Sequence, residues 1–239
     1  MVVYRYMKLH FYLVFGLMSV LASLSACSFS MVATLRSDQQ VDLSYTGAIK
    51  PKVAALLSDL GGTAKSSDRP LISAATVTAS LQKIPELSQI VAKNQVPQGL
   101  EGRLRVANPE KLSQRFPFVT QKLGSGASLF SLTLSRETTP QLLSLFTAEV
   151  RDYLDALMAP IASGENQTSG EYLALLTSVY GKTIAQEIES SLISLEIQVP
   201  GTITQVIGGT WTGNRVVFNI PLVDLLVMQK PLVYQISWK

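Results

Sequence analysis

The stretch Ile193-Ser-Leu-Glu-Ile-Gln-Val199 decides the fold class of this 239-residue chain, because apolar and polar side chains alternate along it. A period of two is typical of a strand with one buried face. Pro200-Gly201 and Gly208-Gly209 follow as turn sequences. The C-terminal part of the chain therefore predicts strands. The same alternation marks two more of them, at Val216, Phe218 and Ile220 and at Leu232, Tyr234, Ile236 and Trp238.

In the segments before residue 193, apolar residues recur either at every second position, as in a strand, or at helical spacing. Further strands are predicted over residues 40–46, 100–106 and 130–135. Helices are predicted over residues 51–60, over residues 73–93 with a break at Pro85, from Pro140 onward, and from the capping box Thr168-Ser-Gly-Glu171 through residue 188. Strands and helices in this order predict an α+β fold, with an antiparallel sheet and helices packed on one face.

The chain opens with a short apolar segment that has a basic front. Arg5 and Lys8 carry the positive charge, residues 11–22 are apolar, and Leu24-Ser25-Ala26-Cys27 follows. This arrangement is typical of a signal peptide. Its last four residues resemble the lipobox of bacterial lipoprotein precursors. Two alternatives stay open: an uncleaved transmembrane anchor over residues 9–26 and a secreted free protein.

The lipobox resemblance implies a chemical modification at Cys27. A diacylglyceryl group is added to the Cys27 thiol, and the signal peptide is cleaved between Ala26 and Cys27. The mature protein is then held by membrane lipid through fatty acyl chains of the palmitate kind. Serine rather than aspartate at position 28 favours the outer membrane over the inner one, by similarity to Gram-negative sorting.

The same resemblance divides the chain into three parts. Residues 1–26 are the signal peptide, residues 27–39 are the lipidated N-terminus and a tether, and residues 40–239 are a single α+β domain. Within the tether, residues 31–35 alternatively form a strand, because they are largely apolar.

Composition excludes several classes of chemistry. Cys27 is the only cysteine, and His10, inside the leader, is the only histidine. A mature domain without imidazole or free thiol excludes Ser–His–Asp and Cys–His catalysis, zinc sites of the Cys/His type and structural disulfides. We therefore expect no cofactor and no metal. A nucleic-acid partner is not expected either, because no basic cluster is visible.

One motif points to catalysis. Ser80-Leu-Gln-Lys83 is an S-x-x-K sequence, and on a helix its serine and lysine share a face. A desolvated Lys83 would activate Ser80 as a nucleophile. A chance match on an exposed helix face is the alternative interpretation, and a Ser–Lys hydrolase is the most distant of the hypotheses.

Carboxylates give two further candidates. Glu149, Asp152 and Asp155 fall on one helix at spacings of three, where either a hard-cation site or a solvated acidic face would result; we expect the solvated face. Asp224 lies in an apolar setting, and we expect it to cap backbone N–H groups of its own turn; a buried functional acid is the alternative.

Three C-terminal segments carry a second resemblance. They are Val199-Pro-Gly-Thr-Ile, Gly213-Asn-Arg-Val-Val-Phe-Asn-Ile-Pro-Leu-Val-Asp-Leu-Leu and Leu232-Val-Tyr-Gln-Ile-Ser-Trp238. They resemble the C-terminal part of LppM-type bacterial lipoproteins, although Gly208-Gly209 fills a turn where those proteins usually carry asparagine. The resemblance implies a similar order of strands there.

These observations together predict a non-enzymatic lipoprotein of the bacterial envelope, anchored on the periplasmic face of a membrane. One hypothesis is that the domain binds lipid or another apolar ligand, because broad leucine stripes and many aromatic side chains would line a cavity between helices and sheet; packing of these side chains in the core is the alternative explanation. The alternative is a protein–protein interaction or assembly role at the membrane surface, with an exposed apolar patch.

Overall fold

The computed structural model describes residues 28–60, 70–95, 98–124, 126–144 and 164–239, together with Arg151, Leu154, Leu157, Met158 and Ile161.

Alternating apolar side chains form the strands. In chain order they are β1 (Ser28–Leu35), β2 (Val41–Ala48), β3 (Leu87–Gln95), β4 (Gly99–Val106), β5 (Val119–Lys122), β6 (Ser128–Leu134), β7 (Leu192–Gln198), β8 (Ile203–Ile207), β9 (Thr210–Thr212), β10 (Arg215–Pro221) and β11 (Leu232–Trp238).

Short helices occupy the intervening segments. Those with bounds inside the described residues are α1 (Pro51–Leu60), α2 (Ala74–Leu81), α3 (Pro109–Arg115), α4 (Thr139–Leu143), α5 (Ser169–Tyr180), α6 (Lys182–Glu189) and α7 (Leu222–Val227). The capping box predicted for α5 is confirmed. The Thr168 hydroxyl accepts from the Glu171 N–H at 3.2 Å, and the Glu171 carboxylate accepts from the Thr168 N–H at 2.8 Å.

The described strands form a large sheet of order β3-β4-β2-β1-β7-β10-β9 and a small sheet of order β5-β6-β11-β8. Paired strands run antiparallel except β1 and β7, which pair in parallel from Ser28 opposite Leu192. Strand β1 therefore lies near the middle of the large sheet, between β2 and β7.

The two sheets pack face to face. One apolar cluster joins the inner face of the large sheet, including Ile197 and Phe218, to Tyr234, Ile236 and Trp238 of the small sheet. The rings of Phe218 and Tyr234 meet across the sheets with centroids 5.3 Å apart. Ile197, Phe218 and Ile236 are fully buried, and each such side chain contributes about 1.5–3 kcal/mol of hydrophobic free energy.

Helices build a second apolar cluster. It contains Leu57 of α1, Leu176 of α5, Ile188 of α6 and Leu226 of α7, packed with Leu134 at the end of the small sheet. Helices α1, α6 and α7 adjoin strands β2, β7 and β10 in the chain, and all three connections lie at the same end of the large sheet.

The predicted α+β class is confirmed, and its sheets are mostly antiparallel. The predicted architecture, a single sheet with helices on one face, differs from the structure. The inner face of the large sheet is covered mainly by a second sheet, because the C-terminal alternation supplies strands to both: β8 and β11 join the small sheet, whereas β7, β9 and β10 join the large one.

Three local predictions also differ. The helix predicted up to residue 93 ends at Leu81, and residues 87–95 form β3, paired with β4 across a bulge. The single helix predicted from Thr168 is broken by Gly181, which has φ +90° and separates α5 from α6. The predicted tether, residues 27–39, contains β1, so the alternative of a strand over residues 31–35 holds and extends back to Ser28. The folded domain thus begins before residue 40, because β1 completes the large sheet.

Candidate functional site: the end of the large sheet beside Cys27

The predicted lipidation site lies at the border of the described structure. Leu24, Ser25, Ala26 and Cys27 are outside the described residues, and Ser28, the next residue, begins β1. The strand pairs there with Leu192 of β7, which in turn pairs with Pro221 of β10. We define the anchor-proximal end of the sheet by four residues: Ser28, Ala48, Leu192 and Pro221.

Hydrogen bonds between neighbouring segments hold this end together. The Lys50 ammonium donates to the Ser190 hydroxyl at 2.6 Å, and the Val53 N–H donates to the Glu187 carboxylate at 3.0 Å. These two bonds join the start of α1 to the end of α6. The Leu222 N–H donates to the Ser191 carbonyl at 2.9 Å, which joins α7 to the same segment. The end of the sheet is therefore a fixed junction of four strands, β1, β2, β7 and β10, with three helices.

Leu192 is the unusual residue of this junction. Ile193, Leu195 and Ile197 point to the inner face, so Leu192 shares the outer face with Ser194 and Glu196. Its side chain is 42% exposed, which is unusual because it is apolar and the neighbouring residues on that face are polar. Sequence analysis did not select Leu192, but a signal for it exists: it is an apolar residue out of phase with the alternation that follows it.

A shallow groove lies on the outer face of the large sheet. Its volume is about 380 Å³. The lining combines hydroxyl and charged side chains with apolar surface: Ser30, Val32, Ser44, Tyr45, Thr46, Val91, Lys93, Glu101, Gly102 and Arg103. The predicted ligand cavity lay between helices and sheet, whereas this groove lies on the outer face of the large sheet.

An ion-pair network lies on the same face at the other end of β2. The Asp42 carboxylate accepts from Arg105 at 2.6 Å and from Arg36 at 3.1 Å. The hydrogen bond from Arg105, with a smaller contribution from Arg36, lowers the pKa of Asp42 below its ordinary value. This network joins β2 to β4 and to the residue that follows β1.

Tyr45 is buried on the inner face of β2 and stacks against Phe29, with ring centroids 6.3 Å apart. Burial raises the pKa of its phenol. Its hydroxyl contacts the position where a Cβ at Gly102 would lie, and it has no hydrogen-bond partner among the described residues. The buried hydroxyl of Tyr172, in contrast, donates to the Leu157 carbonyl at 2.6 Å.

The motif Ser80–Lys83 lies at the end of α2. The Lys83 N–H donates to the Ser80 carbonyl at 3.2 Å, in the turn that follows Leu81. The Lys83 side chain is exposed. An exposed ammonium stays in water, whereas a lysine that activates a serine has to be desolvated.

The acidic candidates have different outcomes. Glu149, Asp152 and Asp155 lie outside the described residues. Asp224 accepts from the Ser169 hydroxyl at 2.8 Å, at the first residue of α5. It therefore links α7 to α5 through its side chain, which was not the contact expected from the sequence.

The described residues contain no group of three or more His, Cys, Asp or Glu side chains that could hold a metal ion. Within the same residues, no helix has the length and apolar character that crossing a membrane requires.

The described part of the chain thus defines an α+β domain of two packed sheets with a helical cluster at one end. No family model matches the chain, and no curated protein matches it. Among solved structures, the chain is similar to the NMR structure of the folded domain of LppM from Mycobacterium tuberculosis, with a TM-score of 0.42, 11% sequence identity and 90% of each chain covered. The lipoprotein precursor and the LppM-type resemblance stay predictions.

Proposed function

We propose that this chain is the precursor of a non-enzymatic bacterial envelope lipoprotein, held on the periplasmic face of a membrane by the acylated Cys27. The observation that supports the proposal is the start of strand β1 at Ser28, directly after the predicted lipobox. Cleavage between Ala26 and Cys27 would remove the leader and leave every residue of β1 in place.

Binding rather than catalysis is the activity we propose for the domain. The groove on the outer face combines Lys93, Arg103 and Glu101 with serine and threonine hydroxyls. Such a lining suits a polar or amphipathic ligand, for example a lipid whose headgroup contacts the charged side chains. We therefore propose this groove, rather than the space between helices and sheet, as the ligand-binding site.

A second candidate function is attachment to another envelope protein. Trp211 lies on β9, the edge strand of the large sheet, and is 52% exposed. Exposed tryptophan is enriched at protein interfaces, and an edge strand offers unpaired backbone groups to a partner.

Mass spectrometry of the N-terminus tests the proposal. The full chain, produced in a bacterium that lipidates proteins, is expected in the membrane fraction with a diacylglyceryl group on an N-terminal Cys27. The matched variant Cys27→Ser changes one atom of the side chain and is expected to accumulate with its leader uncleaved. Processing of that variant to the size of the wild-type protein would contradict the proposal.

Native mass spectrometry separates the two functions. Residues 28–239 are purified without the anchor and exposed to an envelope lipid extract. A bound mass that matches a lipid and is lost in an Arg103→Glu variant supports the groove. A bare mass, with cross-links from Trp211 variants to an envelope protein, supports the attachment role.

A further inference from the structure

We propose that the anchor-proximal end of the large sheet lies directly against the lipid bilayer, with the Leu192 side chain in the interfacial layer. This inference rests on the proposed function, because it requires a lipid on Cys27. It goes further by stating which surface of the domain contacts the membrane and which surfaces face away from it.

The first step is a distance set by covalent and strand geometry. Successive Cα atoms are about 3.8 Å apart, so Cys27 is that far from Ser28. Paired strands lie about 4.8 Å apart, and Ser28 is paired with Leu192. The Cα of Leu192 is therefore within roughly 9 Å of the Cα that carries the lipid.

The second step is that no flexible linker separates Cys27 from strand β1, which begins at Ser28. A tether of the predicted length, residues 27–39, would have let the domain move by tens of ångströms from the bilayer. Instead β1 is hydrogen-bonded on both sides, to β2 from Ser30 and to β7 from Ser28. The junction around it is fixed to α1, α6 and α7 by the bonds of Lys50, Val53 and Leu222. A lipid that holds Cys27 at the membrane therefore also holds this junction close to the membrane.

The third step is the chemistry of the contact. Leu192 is 42% exposed beside the anchor, on an otherwise polar face. The exposed charges nearby along the chain, Lys52 and Glu189, have opposite signs. The junction therefore offers an apolar contact rather than an attraction to anionic headgroups. The two acyl chains of the diacylglyceryl group supply the anchoring, and burial of one leucine in the interface adds to it.

The orientation has a further consequence. Trp211 pairs with Val216, five residues before Pro221 on β10, which places it roughly 17 Å from the anchor-proximal end. The hairpin between β1 and β2 lies still farther away, beyond Leu35. Trp211 and this hairpin are therefore expected in water and accessible to a partner.

The test uses the full lipidated chain with a fluorescent label at position 192. In a Leu192→Cys variant, lipidation consumes the Cys27 thiol, so an environment-sensitive nitrobenzoxadiazole label reacts at 192. The labelled protein is reconstituted into vesicles of phosphatidylethanolamine and phosphatidylglycerol. The matched control is Ile207→Cys, because Ile207 is also 42% exposed but lies on β8 of the small sheet.

The expected result is a blue-shifted and stronger emission at 192, quenched by spin-labelled lipid, with water-like emission at 207. A spacer of Gly and Ser residues inserted between Cys27 and Ser28 is expected to return the label at 192 to water-like emission. Water-like emission at 192 without the spacer would overturn the inference, and so would equal blue shifts at 192 and 207.

Failure of the inference and failure of the proposed function give different signals. The mass of the N-terminal peptide is measured on the same preparations. A lipid on Cys27 with water-like emission at 192 leaves the function standing and removes the inference. An N-terminus without lipid removes both.

Discussion

Replacing Gly209 by alanine is expected to destabilise the domain, because this glycine lies where the chain crosses from one sheet to the other. Gly208 and Gly209 connect β8 of the small sheet to β9 of the large sheet. A Cβ at Gly209 would contact the Phe218 ring, with Cε1 at 2.7 Å, and the Val217 carbonyl oxygen at 2.7 Å. Phe218 is fully buried and packs on Tyr234, so its ring has little room to move.

The magnitude follows from two separable costs. Overpacking of a tight core by one methyl group costs about 1–3 kcal/mol, and Gly209 carries this cost alone. A left-handed backbone costs a non-glycine residue about 1–2 kcal/mol. Gly213, at φ +60° with nothing near its Cβ position, carries that cost alone. Gly208, at φ +81° with the Val233 oxygen at 2.8 Å, carries both, so its alanine variant should lose roughly 2–5 kcal/mol.

Thermal unfolding of residues 28–239 measures the series. One kcal/mol shifts the midpoint of a domain of this size by about 2–4 °C. The alanine variant of Gly208 should have the lowest midpoint, and the alanine variants of Gly209 and Gly213 should have intermediate midpoints. Gly126 is exposed and has nothing within 4 Å of its Cβ position, so its alanine variant should unfold near the wild-type midpoint. A Gly209→Ala midpoint equal to that of Gly126→Ala would refute the packing of the two sheets through this crossing.

Three shorter predictions concern other parts of the fold. A chain that begins at residue 40 should not give a cooperative unfolding transition, whereas residues 28–239 should, because the former lacks a strand from the interior of the large sheet; circular dichroism on heating distinguishes them. Tyr172→Phe should lower the free energy of unfolding by about 1–3 kcal/mol, because it leaves the buried Leu157 carbonyl without its donor. Tyr45→Phe should be neutral or stabilising, because the Tyr45 hydroxyl has no partner among the described residues. Urea unfolding measures both variants, and the reverse order of stability would contradict this hydrogen bonding. Because the pKa of Asp42 is lowered, its ion pairs stabilise the fold above the carboxyl's ordinary pKa, and this effect is lost as the pH falls through the lowered value. Asp42→Asn should therefore reduce the free energy of unfolding in urea at pH 7 by less than about 1 kcal/mol, because the site is partly exposed. In acid, the variant and the wild type should have the same stability.

Local patterns predicted most elements where one face of an element is buried. Strands β2, β4, β7, β10 and β11 follow the alternation of their apolar residues, and α1 begins at its proline. Helix α5 begins at its capping box, because both hydrogen bonds of that motif are formed within four residues. Such interactions are local, and therefore a single sequence specifies them.

Errors arose where partners distant in sequence decide the structure. Residues 87–95 carry no clean alternation, and they become a strand because β4 offers them an edge, with a bulge between Ser88 and Val91. The division of the C-terminal strands between two sheets depends on Gly208 and Gly209 as a crossing rather than a hairpin, and the turn residues alone are compatible with both. The candidate site shows the same limit: the lipobox resemblance rests on four adjacent residues and stays a prediction, whereas Leu192 acquires its position beside Ser28 through a parallel pairing that no local pattern shows.

The proposed anchor on Cys27 would couple that parallel pairing to the folding of the whole domain. Strand β1 is the first described element of the chain, and it pairs with β7, which follows most of the described helices. A contact between such distant segments forms late, because loop closure has to precede it. If Cys27 is acylated at the membrane, β1 is held there while the rest of the chain arrives, and the large sheet closes only when β7 and β10 reach it. On that premise the completed sheet is assembled at the bilayer with its anchor-proximal end already against the lipid, and the position of one cysteine would determine both where the domain folds and which way it faces.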